Sequence, residues 1–156
     1  VTDFLSLHDG AALIGEAVVL EDLVFNRFGA RSQRATNPEV AVAFSVASRR
    51  HGVLAETFTE RLPVSASIPR DPFLALSSPL GAQIAATLEH LPDDDLGALS
   101  FSCTELLPLL IERYEAHFAL TTPTADGPAR AALHEAVAGA EDTLDAFADL
   151  ARRLRG

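Results

Sequence analysis

Apolar residues recur along this chain at alternating steps of four and three, the spacing of one buried helix face, over four long segments. The first segment, from about Asp9 to Ala30, carries Ile14, Val18, Glu21, Phe25 and Phe28 on its stripe. The second carries Val40, Phe44, Ala47, His51, Leu54 and Phe58. The third restarts after Pro92 and runs to about Leu120, with Leu96, Ser100, Cys103, Leu107, Leu110, Tyr114 and His117 in line. The fourth carries Leu133, Val137, Ala140, Leu144, Phe147, Ala151 and Leu154. Two positions break the pattern. Glu21 and His51 stand where an apolar residue is expected, so the spacing predicts a carboxylate and an imidazole inside a helical core, where an unpaired charge is costly.

Boundary residues support the same four segments. Ser6 or Asp9 suits the N-cap of the first, and Gly29 is a natural stop, with Arg27 and Arg31 at the negative dipole end. The second has the clearest start: Asn37 as cap, Pro38 in the first helical position, Glu39 in the first turn. It ends before Pro63. The acids Asp93 to Asp95 read as a helix start and not as a calcium loop, which needs further oxygen ligands. Pro108 should kink the third segment. Asp126 or Gly127 caps the fourth. Only about seven residues join the first two helices, and Thr121 to Gly127 join the last two, so each pair should form an antiparallel hairpin. Between the hairpins lie Pro63, Pro69, Pro72 and Pro79, four of the nine prolines. That spacing forbids a long helix or a central strand. It predicts an ordered crossover pinned by Ile68, Phe73 and Leu74, followed by a short helix from Leu80 to Leu91. The 156 residues read as one domain, 1–156, long enough for its own core.

Composition narrows the function classes. A net charge of −10 argues against nucleic-acid binding and against an anionic membrane surface. All twelve basic residues are arginine, which can form bidentate carboxylate pairs. No apolar run reaches the length of a membrane span, and the start lacks the pattern of a signal peptide, so a cytoplasmic protein is expected. The single Cys103 excludes an internal disulfide and a cysteine-cluster metal site, and reads as an inert core thiol. Nucleophile-elbow and phosphate-loop motifs are absent.

Counting from the turns gives the two polar intruders a common address. The first hairpin centres near residue 35, with Glu21 14 residues before it and His51 16 after. At about 1.5 Å per residue both lie roughly 21–24 Å from the turn. Tyr114 and Glu141 arrive at a similar depth. Three readings follow: a closed polar network of Glu21, His51 and Tyr114; a polar cavity in which the same residues contact a small molecule; or a metal site of Glu21, His51 and Glu141, three ligands suited to zinc. Arg49 or Arg50 is expected to reach Glu21 or Glu141 as a buried ion pair. His117 is expected to be partly exposed on the flank of its stripe, within reach of His134. Glu112, Arg113 and Glu115 read as a solvated face, and Glu56, Glu60 and Arg61 as surface pairs.

Helix count, loop lengths and Glu/His placement resemble the ferritin-like superfamily, over nearly the whole chain. The stretches from Arg49 through Glu56, from Glu60 to Pro63 and from Leu110 to His117 are similar to actinobacterial proteins of that type. The resemblance implies an all-α, ferritin-like four-helix bundle, its two antiparallel hairpins joined by the proline-rich crossover with the short extra helix. The superfamily's di-iron site takes a Glu from each of two helices and a Glu-x-x-His pair from each of the other two. Glu21 matches the first-helix glutamate and His51 the second-helix histidine. The residue three before His51 is Ser48, and no Glu-x-x-His occurs anywhere. The third-helix glutamate is replaced by Leu110, Ile111 or Tyr114, and Leu144 stands three after Glu141. The expectation is therefore a bundle with a degenerate metal site and no cofactor, acting on a partner or a small apolar ligand. A homodimer built on Phe4, Leu5 and Phe73 is one such partner. The alternative is a metal-dependent oxidoreductase holding iron, manganese or zinc at an altered carboxylate/His site.

Overall fold

A computed structural model describes residues 5–63 and 65–156. Six α-helices account for most of it: α1 Leu7–Arg34, α2 Pro38–Arg61, α3 Pro79–Glu89, α4 Asp95–Phe101, α5 Leu107–Ala119 and α6 Gly127–Arg155. A single π-helical turn, Ser102–Leu106, makes α4 and α5 one long element. The four long elements form the bundle, and α3 packs outside it against α1 and α5. Phe4, named above for a dimer face, lies outside the described residues. Among those residues no helix is long and apolar enough to cross a membrane.

Local chemistry explains the element ends. The Ser6 hydroxyl accepts from the Asp9 backbone N–H to cap α1, and the Asn37 side chain accepts from the Glu39 N–H to cap α2. Gly29 does not stop α1, which continues to Arg34. Its lack of a side chain instead admits α2: a Cβ there would lie 3.2 Å from the Ser48 hydroxyl, which donates to the Phe25 carbonyl. Phe25 is a second correction. It is 41% exposed, and Val24 takes the inward place beside Leu20 and Glu21. Its ring covers Gly52, where a Cβ would sit 3.0 Å away.

Asp95 fixes the relation between the two hairpins. Its carboxylate accepts from the backbone N–H groups of Thr36 and Asn37, 3.1 and 2.7 Å away, and pairs with buried Arg31. Burial pushes this carboxyl up, but the Asn37 N–H, the Thr36 hydroxyl and Arg31 outweigh it and hold it below the usual aspartate range. The start of α4 thus lies beside the start of α2, so these helices run parallel. The Arg153–Glu39 pair, at 2.7 Å, sets the end of α6 beside the start of α2, so those two are antiparallel.

Pro108 does not break the third segment into two. A proline removes one ladder N–H and crowds the carbonyl four residues back. The π-helical turn just before it widens the ladder at that point and absorbs the conflict. Cys103 sits in this turn, half-buried, with its thiol 3.6 Å from the Leu144 carbonyl, and burial pushes its pKa up.

The crossover is held by Leu62 and Phe73, both buried, whereas Leu74 is exposed. Phe73 lies against α1, where Gly15 allows backbone contact: a Cβ on Gly15 would collide with the Phe73 carbonyl group. Phe73 is therefore core, and the expected dimer face of Leu5 and Phe73 loses its main member.

Candidate functional site

The mid-bundle group comes from three helices. Glu21 of α1, His51 of α2 and Tyr114 of α5 are all fully buried. His51 Nδ1 lies 2.5 Å from Glu21 Oε2, and the Tyr114 hydroxyl donates to Glu21 Oε1. Both carboxylate oxygens are thus engaged. Burial, then the adjacent Glu21 charge, pushes the Tyr114 phenol well above its ordinary pKa, so it stays a neutral donor. Phe28 meets the His51 ring edge-on at 5.6 Å, and Phe58 stacks on Tyr114 at 5.6 Å. His51 Nε2 is buried with no hydrogen-bond partner among the described residues.

Five residues earlier on α1 lies a second buried cluster, which reading the sequence missed. Glu16 Oε2 accepts from Arg113 Nε and Nη2 at 3.0 and 2.8 Å. Its Oε1 accepts from the backbone N–H groups of Ser77 and Ser78, each at 2.8 Å, at the start of α3. Arg113 Nη2 also donates to the Leu13 carbonyl at 2.7 Å. Gly81 makes room, since a Cβ there would collide with the Glu16 carboxylate. Burial raises the Glu16 pKa, but the Ser78 N–H and the Arg113 charge outweigh it and leave it below the ordinary value. This carboxylate sits at a helix N-terminus, where the dipole also favours it.

Arg113 is therefore not part of a solvated face, although Glu112 and Glu115 are exposed as expected. His117 is likewise buried and not partly exposed, one helical turn beyond Arg113, with its Nδ1 3.4 Å from Arg113 Nη1. Burial, then the Arg113 charge, lowers its pKa to about 4. His134 is exposed and makes no hydrogen bond to His117 among the described residues.

The remaining expectations are corrected by helix phase. Glu141 is exposed on α6, because Ala140 takes the core-facing position beside it. It does not join Glu21 and His51. Arg50 reaches α6 but meets no carboxylate: its Nη1 donates to the Gly139 carbonyl and the Thr143 hydroxyl, each at 2.9 Å. Arg49 is exposed.

A ferritin-like bundle implies a pair of iron ions at mid-height, and the residues present do not fit one. The Glu21 oxygens and His51 Nδ1 are spent on one another and on Tyr114. His51 Nε2 is one free donor, where even a single zinc needs three or four ligands. Among the described residues no three His, Cys, Asp or Glu side chains gather at metal-binding distance.

No protein-family model matches the chain, and no curated protein matches it in sequence. Its fold is similar to that of symerythrin from Cyanophora paradoxa, seen in a crystal structure of the dithionite-reduced protein. The likeness covers 100% of this chain and 90% of that one, with a TM-score of 0.62 and 19% identity. Element order, the parallel second and third long helices and this whole-chain likeness together give the chain a ferritin-like helical-bundle fold.

Proposed function

We propose that this chain is a ferritin-like bundle that works by binding a partner at its surface, its mid-bundle polar residues serving as internal structure and not as a di-iron centre. One observation carries the reading: both oxygens of Glu21 are engaged, by His51 and by Tyr114, in a fully buried group. With both Glu21 oxygens paired, His51 Nε2 is the one atom of the group without a partner among the described residues, and a network so nearly satisfied rigidifies a core. Phe28 and Phe58 pack on its rings, where a small apolar ligand would have to lie, which favours a surface partner over a ligand between the helices.

The rival is a metal-dependent oxidoreductase with iron, manganese or zinc, supported by His51 Nε2, which has no partner among the described residues. Elemental analysis of untagged protein separates the two. The proposal expects well under about half an equivalent of metal per chain. Stoichiometric metal that disappears in Glu21→Gln and His51→Asn would establish the rival.

A further inference from the structure

α2 carries a second stripe besides its buried one. Val42, Val46, Arg49 and Val53 repeat at steps of four, three and four, the same spacing as a packing face. Nothing in the described chain covers it: the three valines are 62%, 57% and 49% exposed. A solvent face made only for solubility would carry charge at these positions.

Beside this ridge runs a groove between α2 and α6. One section, of about 460 Å³, has the exposed Ala138 and the half-buried Gly139 on its α6 side. A second, of about 500 Å³, lies toward the start of α2 and includes Val42, Ala43 and Ala146. Small side chains keep the α6 wall low, and Gly139 lets Arg50 lie flat across it, since a Cβ there would meet the Arg50 chain at 3.0 Å. An apolar ridge thus stands next to a shallow channel of matching direction.

The charges are complementary across the same patch. Arg49 lies on the ridge, lining both the α2–α6 groove and the groove between α1 and α2. Glu135 and Asp142 lie on the α6 rim. All three are exposed and make no ion pair among the described residues. A patch with ridge and groove side by side, basic on one and acidic on the other, is complementary to itself under a two-fold rotation.

Resting on the reading that this bundle binds a partner, we infer that the partner is a second copy of the chain, docked through an isologous α2–α6 face. The Val42, Val46 and Val53 ridge of each protomer lies in the other's groove. Arg49 of each meets the acidic rim of the other at Asp142. The two-fold makes every such contact occur twice.

Sedimentation equilibrium from about 1 to 100 μM tests this, a range that brackets ordinary homodimer affinities. The wild-type chain should sediment as a dimer, and the exposed Val46→Asp should weaken association at least roughly tenfold with unchanged helix content. Arg49→Glu and Asp142→Arg should each be monomeric alone, facing like charge twice. Mixed one to one, they should form a heterodimer, because both pairs are then restored between chains. An intramolecular role for these charges cannot produce that recovery. A wild-type monomer throughout, a dimer indifferent to Val46→Asp, or no recovery on mixing would each overturn the inference. Metal content measured on the same samples reports separately on the functional reading beneath it.

Discussion

Replacing Arg113 by methionine keeps the apolar stem of the side chain and removes the guanidinium with its charge. The structure assigns the guanidinium three close contacts: two to Glu16 Oε2, at 3.0 and 2.8 Å, and one to the Leu13 carbonyl, at 2.7 Å. Both partners of the ion pair are nearly or fully buried. Removing one member leaves the other as an uncompensated buried charge, which costs about 3–5 kcal/mol. For a domain of this size each kcal/mol moves Tm by about 2–4 °C, so the variant should melt roughly 6–20 °C lower. Ser77 and Ser78 still hold the other Glu16 oxygen, which places the expected loss toward the lower end. Glu16→Gln supplies the control, because it keeps the Ser78 contacts while removing the stranded charge. In a double-mutant cycle read by urea unfolding, Arg113→Met should cost at least about 1 kcal/mol less when Glu16→Gln is already present. A loss under about 1 kcal/mol in the single variant would refute the buried pair, since that is the range of exposed ion pairs.

Other expectations follow from the same structure. His117 has a folded pKa of about 4 against an ordinary 6.5, so its stabilising contribution is complete above the unfolded value and is lost as pH falls from 6.5 through 4. That shift corresponds to about 3 kcal/mol, and His117→Gln should flatten the fall in unfolding free energy over this window. A profile as steep as wild type would show that His117 is not the group responsible. Glu16, with its depressed pKa, contributes above 4.5 and loses that contribution below it, so the wild type should weaken further in stronger acid. Two glycines of α1 should respond in opposite directions. A Cβ on Gly10 would meet nothing within 4 Å, so Gly10→Ala should stabilise by about 0.5–1 kcal/mol. Gly15→Ala collides with the Phe73 backbone and should destabilise by about 1–3 kcal/mol despite its better helix propensity. Equal melting shifts in the two variants would contradict the close packing of the crossover on α1.

What was legible in the sequence divides along physical lines. Periodicity and capping residues act locally, so Asn37, Pro38 and Glu39 mark the start of α2 without reference to the rest of the fold. A short hairpin loop converts residue count into height, which is why Glu21 and His51 could be set opposite each other from counting alone. Helix phase is finer than counting can resolve. Glu141 adjoins the inward Ala140, and Phe25 adjoins the inward Val24, so a step of one residue turns each outward. Glu16 and Arg113 were missed for a different reason. Arg113 lies beside its stripe, but Glu16 points away from Ile14 and Val18, on the side of α1 that α3 covers, and two of the groups that satisfy it come from Ser77 and Ser78, in a crossover without periodicity. The exposed valine stripe of α2 was present in the sequence but could not be distinguished from core until the bundle showed which face of α2 was already filled. Phe73 is the mixed case: it pins the crossover as its sequence suggests, because Gly15 lets it approach α1, and for the same reason it is core and not part of a dimer face.

On the function proposed above, Glu21, His51 and Tyr114 pair with one another as internal structure in place of a metal site. Thermal unfolding of metal-free protein, with and without ferrous iron under anaerobic conditions, and with manganese or zinc, tests it most directly. Ligand at 100 times its dissociation constant stabilises a folded protein by about 2.7 kcal/mol, or roughly 5–10 °C here. This purely structural role predicts a Tm unchanged within about 1 °C for all three ions. A rise of several degrees that vanishes in Glu21→Gln and in His51→Asn would contradict it and place a metal at mid-bundle.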